Sequence, residues 1–444
     1  MSDAPLAPVD QAARFESLDV LRGIAALGIL LMNIPAMGLA WSWSRPPLPA
    51  RVDVDWIAYS IQNVGADGTM RGLFTLLFGA GMVVMLTRKD PVREAAATQA
   101  FFVRCFALML LGVANFLLFL WPGEILFNYG AAGLVVFLFR KADKRLLTVA
   151  AAAGLITMTL GMTVAYQDKI SMVRLADDAV AARSIGKKPT QEQAEALKKR
   201  DDMLQKLMSS EQHAKERATR TSFPAVVGWS TEAWLDFNLT GQSIITALES
   251  ISFMLIGILL LRTGVLTGQR STRFYLRLAL CSLPIGVAIR GYLLALMWQY
   301  GFVPSAHWYQ PICYLYEAGR LAMTLGILGA AMTLLKTGLL GRLAGVLAAV
   351  GRTALTTYIG QSVITSFLFY GLGLFDRLGF AQLMGVAALI WIAQSLFSVV
   401  WLRWFEMGPA EWLLRTLTYG AVRPIRRSTI AKEVTEPALE CARG

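Results

Sequence analysis

The chain has 444 residues, of which 55% are hydrophobic and only 16% charged, and its mean hydropathy is +0.51. One soluble core of this length cannot hide so much apolar surface, and the apolar residues fall in unbroken blocks of roughly 20 rather than alternating. Those facts exclude a soluble enzyme, a secreted disulfide scaffold and an outer-membrane barrel, and predict an all-α integral membrane protein. The net charge of +12 carries no nucleic-acid signature, because most cations sit in short loops between apolar blocks. With Cys105, Cys281, Cys313 and Cys441 lacking C-x-x-C spacing, and with His213 and His307 as the only histidines, neither a metal site nor a redox centre is expected.

The first apolar block, 18–40, is too long for a signal-peptide core and reads as a retained transmembrane helix. Nine more follow at 69–87, 98–120, 123–139, 145–166, 238–261, 274–298, 310–335, 353–371 and 380–401. Cations after every second span orient the bundle: Arg88, Lys89 and Arg93, then Arg140, Lys141, Lys144 and Arg145, then Arg262, Arg270 and Arg273, with further groups after the eighth and tenth spans. That side carries 17 cations, while the opposite short loops hold only Arg45, Arg51 and Arg377. The expected topology has both tails in the cytoplasm.

The resulting organisation is an N-terminal cytoplasmic tail (1–17), five spans (18–166), an extracytoplasmic insertion (167–237), five more spans (238–401), an interfacial cytoplasmic helix (402–420) and a basic, disordered tail (421–444). The insertion holds 12 Lys+Arg and 11 Asp+Glu. Thr190 and Gln193 have capping-box spacing ahead of a thin apolar stripe, so a charged helix or helical hairpin is predicted, with His213 solvated on its polar part. The insertion is a candidate docking surface for a partner. In the interfacial helix Trp412, Arg415 and Tyr419 are placed flat on the membrane surface.

A charge inside hydrocarbon costs about 2.5–3.5 kcal/mol or more, so the polar residues within apolar blocks are the best functional clues. Asp19 and Arg22 pair at i, i+3 on a face shared with Asn33. Glu317, Arg320 and Thr324 make a similar stripe, as do Gln242, Thr246 and Glu249. Arg71 opens the second span, Glu124 the fourth, and Arg290 follows Pro284 in the seventh. Asn33, Arg71, Glu124, Glu249, Arg290, Glu317 and Arg320 fall toward the outer half, which implies a polar cavity open to the outside. The plain alternative is helix-to-helix glue. His307, beside Trp308 and Tyr309 in an outer loop, is either a general base, with an ordinary pKa of about 6.5, or part of an aromatic belt. The run Phe78-Gly-Ala-Gly-Met82 reads as a close helix contact.

Several stretches resemble one family. Leu18-Asp-Val-Leu-Arg-Gly-Ile-Ala-Ala-Leu-Gly-Ile-Leu-Leu-Met-Asn-Ile34 is similar to the opening helix of YeiB-type bacterial membrane proteins, Arg71-Gly-Leu-Phe-Thr-Leu-Leu-Phe-Gly-Ala-Gly81 to their second, and Gly123-Glu-Ile-Leu-Phe-Asn-Tyr-Gly130 to their fourth. Gly351-Arg-Thr-Ala-Leu-Thr-Thr-Tyr-Ile-Gly-Gln-Ser362 and Gly408-Pro-Ala-Glu-Trp-Leu-Leu-Arg-Thr-Leu-Thr-Tyr-Gly420 resemble the hallmark of their C-terminal domain of unknown function.

The resemblance places the chain among transmembrane acyltransferases of the bacterial inner membrane. It implies transfer of an acyl group, such as acetyl, from cytoplasmic acyl-CoA to an extracytoplasmic lipid or glycan acceptor. Asp19, Arg22 and Arg104 are the expected donor-binding residues; His307, Glu124 and Glu317 are the candidate bases. Asn33, Arg71, Glu249, Arg290 and Arg320 are the residues expected to bind substrate, with Asn33, Arg71 and Arg320 as donors to the developing oxyanion. The rival reading uses the same buried charges in a transporter or flippase for a charged lipid or small metabolite. A non-catalytic scaffold docking a partner through the insertion is a third.

Overall fold

A computed structural model describes residues 16–40, 52–86, 91–165, 167–208, 210–299, 315–422 and 424–427. Its elements in chain order are α1 (Glu16–Gly38), α2 (Val54–Gly65), α3 (Thr69–Leu86), α4 (Pro91–Phe119), α5 (Leu126–Val136), α6 (Lys144–Ala165), α7 (Gln167–Ser184), α8 (Gln191–Met208), α9 (Ser210–Ala218), α10 (Phe223–Leu239), α11 (Gly241–Arg262), α12 (Thr272–Gln299), α13 (Tyr316–Lys336), α14 (Arg342–Arg352), α15 (Ala354–Ser366), α16 (Phe380–Trp404) and α17 (Pro409–Tyr419). A 3-10 turn, Phe137–Phe139, continues α5, and a π-turn, Phe367–Gly371, continues α15. The protein is an all-α, multi-pass membrane protein. Eight of its helical stretches are long and apolar enough to span a membrane, and α14 with α15, bent by 78°, form a ninth candidate. The apolar stretch Leu126–Phe139 is shorter than these.

Lipid offers no hydrophobic drive between apolar helices, so their association rests on close backbone contact. A Cβ on Gly23 would stand 2.0 Å from the Leu347 carbonyl oxygen, and one on Gly351 1.8 Å from that of Asp19, so α1 and α14 meet backbone to backbone. The same holds for α3 and α11, where Gly79 abuts Met254 and Gly257 abuts Leu76. The glycine-rich run in α3 is a packing surface, in keeping with its position inside an apolar block.

Side chains tie the turns at each end of the bundle. At one end Ser17 Oγ donates to the Leu266 carbonyl (2.8 Å), Lys336 Nζ to those of Gly268 and Arg270 (2.7 Å each), and Lys141 pairs with Glu94 (2.7 Å). Arg262 adds bonds to the Arg140 and Ala142 carbonyls. The basic turns thus gather at a single end.

The opposite end holds two parts that sequence reasoning treated differently, α2 and the insertion. α2 lies in a stretch read as loop; Asp53 caps it by accepting from the Trp56 amide (2.9 Å), and Asp55 accepts from the Ala381 amide at the start of α16 (2.8 Å). The insertion is four helices, α7 to α10, and α7 with α8 forms the expected hairpin. Its capping box is present, with Thr190 Oγ1 accepting from the Gln193 amide (3.2 Å) and Gln193 Oε1 from that of Thr190 (2.9 Å). The insertion does not stand clear of the bundle, however. His213 is not merely solvated: its Nε2 lies 2.8 Å from Asp376 Oδ2 in the turn before α16. Arg220, fully buried, donates to the Ala36 and Leu39 carbonyls at the end of α1 (3.0 and 3.2 Å), with its guanidinium 3.7 Å from the centre of the Trp229 ring. A helix end leaves carbonyls unsatisfied and bears partial negative charge, which a buried arginine answers on both counts.

The segment after α17 also departs from its reading as disordered. Gly420, at φ 64°, turns the chain back, and the Glu406 and Arg427 amides bond the Ile425 and Trp404 carbonyls (3.0 Å each). Residues 428–444 of that tail, with 1–15 of the N-terminal tail, lie outside the described residues.

Candidate functional site

The polar residues singled out from the sequence separate into two groups. The first lines a cavity of about 500 Å³ at the end where the basic turns gather, between α1, α3, α4, α5, the α14–α15 bend and α17. Asp19, Arg22 and Arg104 all face it. Asp19 is buried and pairs with Arg22, Oδ1 to Nη1, at 3.4 Å. Two arginines not expected at the site, Arg352 and Arg415, face it too, as do Glu406 and Glu411.

The wall nearest the membrane surface is α17. It begins at Pro409, which fits the first helical turn because its missing amide is not needed there. It was expected to lie flat, yet Glu411, Leu414, Arg415 and Tyr419 turn into the cavity. Glu411 fixes this posture. Its Oε1 accepts from the Leu355 and Thr356 amides (2.6 and 3.2 Å) and its Oε2 from Thr356 Oγ1 (2.5 Å), so it caps α15 beyond the bend. Burial pushes its carboxyl above the ordinary range, against the pull of those hydrogen bonds.

Arg104 stands apart from the other cations. It is half-buried on α4, and no described residue gives it a hydrogen bond or an ion pair. Glu411, which also lines the cavity, is already committed to α15. Deeper in the cavity the walls become apolar, and the remaining polar atom is the hydroxyl of Tyr129, 2.5 Å from Thr75 Oγ1 and 3.4 Å from the Arg71 carbonyl.

Arg71 belongs to the second group, inside the bundle. It pairs with Glu249 of α11, whose other oxygen takes Arg320 Nη2 at 3.0 Å; Arg320 also holds Glu317 at 2.7 Å. Nearby, Arg290 pairs with Asp67 (3.4 Å) and bonds the Asn63 carbonyl, and Tyr316 Oη donates to Asp67 (3.3 Å). Three arginines meet three carboxylates, so the charges balance. The outer polar cavity inferred from the sequence is replaced by this network: charges expected to line an open space instead neutralise one another across α3, α11 and α13.

Glu124 belongs to neither group. Its Oε2 accepts from the Leu126 and Phe127 amides (2.7 and 3.2 Å) and its Oε1 from Trp234 Nε1 of α10 (3.3 Å). The carboxylate therefore caps α5 and anchors the insertion. Asn33 is half-buried on α1 and joins neither group. His307 lies outside the described residues.

Sequence reasoning found the cations of the cavity within helices and missed those at its rim. Arg352 stood only in a quoted motif, Arg415 was counted as a cytoplasmic cation and placed on an interfacial helix, and Asp67 stood in an outer loop. No contiguous pattern links them, because α14, α15 and α17 come together only through the bend at Thr353.

Residues 260–421, from the end of α11 through α17, match a domain described as "Protein of unknown function (DUF418)". The chain is 32% identical over 425 residues to "Uncharacterized protein YeiB" of Escherichia coli, covering 92% of this chain and 97% of that one. It belongs to the YeiB-like family. It is also 27% identical to "Uncharacterized protein YxaH" of Bacillus subtilis, over 96% of this chain and 99% of the relative. A third relative, "Uncharacterized 39.9 kDa protein in amylase 3'region" of Bacillus acidopullulyticus, is 24% identical over 94% of this chain and 97% of its own. No solved structure matches the chain. The YeiB-like domain carries the bend and α17, hence Arg352, Glu411 and Arg415, while Asp19, Arg22 and Arg104 come from the part before it.

Proposed function

We propose that the protein is an acyltransferase of the bacterial inner membrane that takes an acyl group from cytoplasmic acyl-CoA and passes it to a lipid or glycan acceptor on the far side. The observation that carries this reading is Arg104, a half-buried cation facing the cavity with no partner among the described residues. A charge in apolar surroundings is costly unless answered, and arginine suits phosphate because its fork of donors matches that geometry. Arg22, Arg352 and Arg415 share the rim with it, and the basic turns at this end support a cytoplasmic side, where acyl-CoA is found.

The donor supplies a thioester: an acceptor hydroxyl or amine attacks its carbonyl carbon, the carbon–sulfur bond breaks, and CoA leaves as the thiol with the acceptor's proton. The chain's residues have separate parts in this. The rim arginines hold the phosphates. Tyr129, at the deep end, keeps its hydroxyl on Thr75 Oγ1 and the Arg71 carbonyl, so its proton is not offered to a developing oxyanion. Arg71 and Arg320, the donors first expected there, are committed to Glu249. Among the candidate bases, Glu317 is held by Arg320 and Glu124 by two amides and Trp234, which favours His307, a residue outside the described ones, as the base to test first.

Purified protein in proteoliposomes, supplied with labelled acyl-CoA on the arginine-rich side, should bind the donor and label an acceptor on the other side. Binding lost in Arg104→Ala, with the fold intact, is the expected companion result. Absence of donor binding, together with gradient-driven movement of a lipid or small metabolite, would assign the protein to transport instead.

A further inference from the structure

The interior of the cavity differs from its rim in a way that bears on which acyl group it takes. Past Arg104, along α4, comes Leu108 one turn on; across from it stand Phe74 and Phe78 of α3 and Leu126 of α5. Tyr129 brings the only hydroxyl of this inner part, and that hydroxyl is already engaged with Thr75. Its ring packs against Phe74 and Phe78, centroids 6.0 and 5.3 Å apart, so the deep end is aromatic as well as aliphatic.

A cavity of about 500 Å³ falls within the range of small-molecule sites. Water filling its inner part would be poorly held, since an ordered water needs two to four polar partners and these walls offer almost none. An acetyl group with its phosphates at the rim would leave most of that apolar space to such water. A chain of methylenes would fill it, and each one buried is worth about 0.8 kcal/mol, close to a fourfold gain in affinity.

Resting on the donor reading above, we propose that the cavity selects long-chain acyl-CoA, with the phosphates at Arg22, Arg104, Arg352 and Arg415 and the acyl chain running past Leu108 toward Phe74 and Leu126. The occupant is an anionic head bearing a single apolar tail. The rim selects the head and the inner walls measure the tail.

The test is calorimetric binding of acetyl-, butyryl-, octanoyl- and palmitoyl-CoA to the full chain in nanodiscs, with empty nanodiscs subtracting partition into lipid. Affinity should rise about fourfold per methylene until the cavity is full. Leu108→Trp should move the preferred length to shorter chains, and Phe74→Ala should move it to longer ones. Arg104→Ala should weaken all lengths by a common factor. Equal affinity for every acyl-CoA, or an unchanged length profile in both cavity variants, overturns the length selection and leaves the donor reading standing. Palmitate binding as tightly as palmitoyl-CoA also overturns it, since the site would then be reading a lipid tail without the head. Failure of every acyl-CoA to bind removes the donor reading itself.

Discussion

Arg320 and Arg104 are both arginines set in apolar helices, and their surroundings could hardly differ more. Arg320 is 2% exposed and holds two carboxylates from two helices, Glu317 on its own α13 and Glu249 on α11. Arg104 faces open space without a described partner. Buried ion pairs stabilise weakly once desolvation is counted, but they penalise wrong arrangements strongly, so a balanced network is a device for register. A cation on a cavity wall with no described partner serves no such purpose, and on the proposed reading its cost is offset by a bound anion. The lesson is that intramembrane charge marks function where the charges fail to balance, not simply where they occur.

The largest expected effect tests the balanced side. Arg320→Ala leaves Glu249 and Glu317 facing each other without their shared cation, and should cost about 3–5 kcal/mol of stability. Thermal unfolding of the purified protein in detergent reads this directly. Arg104→Ala, by contrast, should leave the unfolding midpoint unchanged or raised, because it removes a charge that nothing holds. If both variants lose the same stability, the two regions are not different in kind.

Next comes the outer end. Arg220→Ala exposes the last carbonyls of α1 and removes the stack on Trp229, with charge-assisted bonds worth about 1.5–3 kcal/mol at risk. The visible result should be release of the insertion, read as faster proteolysis within 167–237 and faster amide exchange at the end of α1. Asp376→Asn, which keeps the bond from the Ala40 amide but weakens the contact with His213 and Arg217, should give a smaller change in the same direction.

Glu124→Gln sharpens the division of roles among carboxylates. Glutamine retains one oxygen for the α5 amides, so a loss of about 1 kcal/mol is expected, within the usual worth of a single hydrogen bond. A general base would show itself otherwise, with turnover falling by roughly 10²–10⁴. A large fall in turnover at unchanged stability would move Glu124 from cap to catalyst.

How much of this was legible in the chain follows from the range of the forces. Apolar blocks and capping signals act over one helix, so the spans, the α7–α8 hairpin and the box at Thr190 and Gln193 could be read directly. Asp19 with Arg22, and Glu317 with Arg320, were legible for the same reason, each being one helical turn. The partners that fix the packing are remote: Arg320 with Glu249, Arg290 with Asp67, Arg220 with the end of α1. No local pattern marks these. α2 was missed because its polar flanks hid a short amphipathic helix. The inward turn of α17 was missed because its charged face, carrying Glu411 and Arg415, looks the same in sequence whether it meets headgroups or a cavity.

The smallest effect concerns that helix. Burial raises the folded-state pKa of Glu411, so the native protein binds its proton more tightly than the unfolded chain does. The sign is then fixed: this group's contribution to stability is fully present below the ordinary carboxyl pKa, and is lost as pH rises through the raised one. Wild-type unfolding should therefore show a shallow decline in stability on the alkaline side of the carboxyl range. Glu411→Gln, which cannot ionise but still offers an oxygen to the Leu355 and Thr356 amides, should flatten that decline and equal or exceed the wild type above it. Because Glu411 also sets the posture of the cavity wall, a second reading is available from ligand binding. If charge repulsion toward the donor phosphates matters, Glu411→Gln binds acyl-CoA more tightly at neutral pH; if only the cap matters, binding is unchanged. A variant whose stability declined with pH as steeply as the wild type would show that another group carries the dependence.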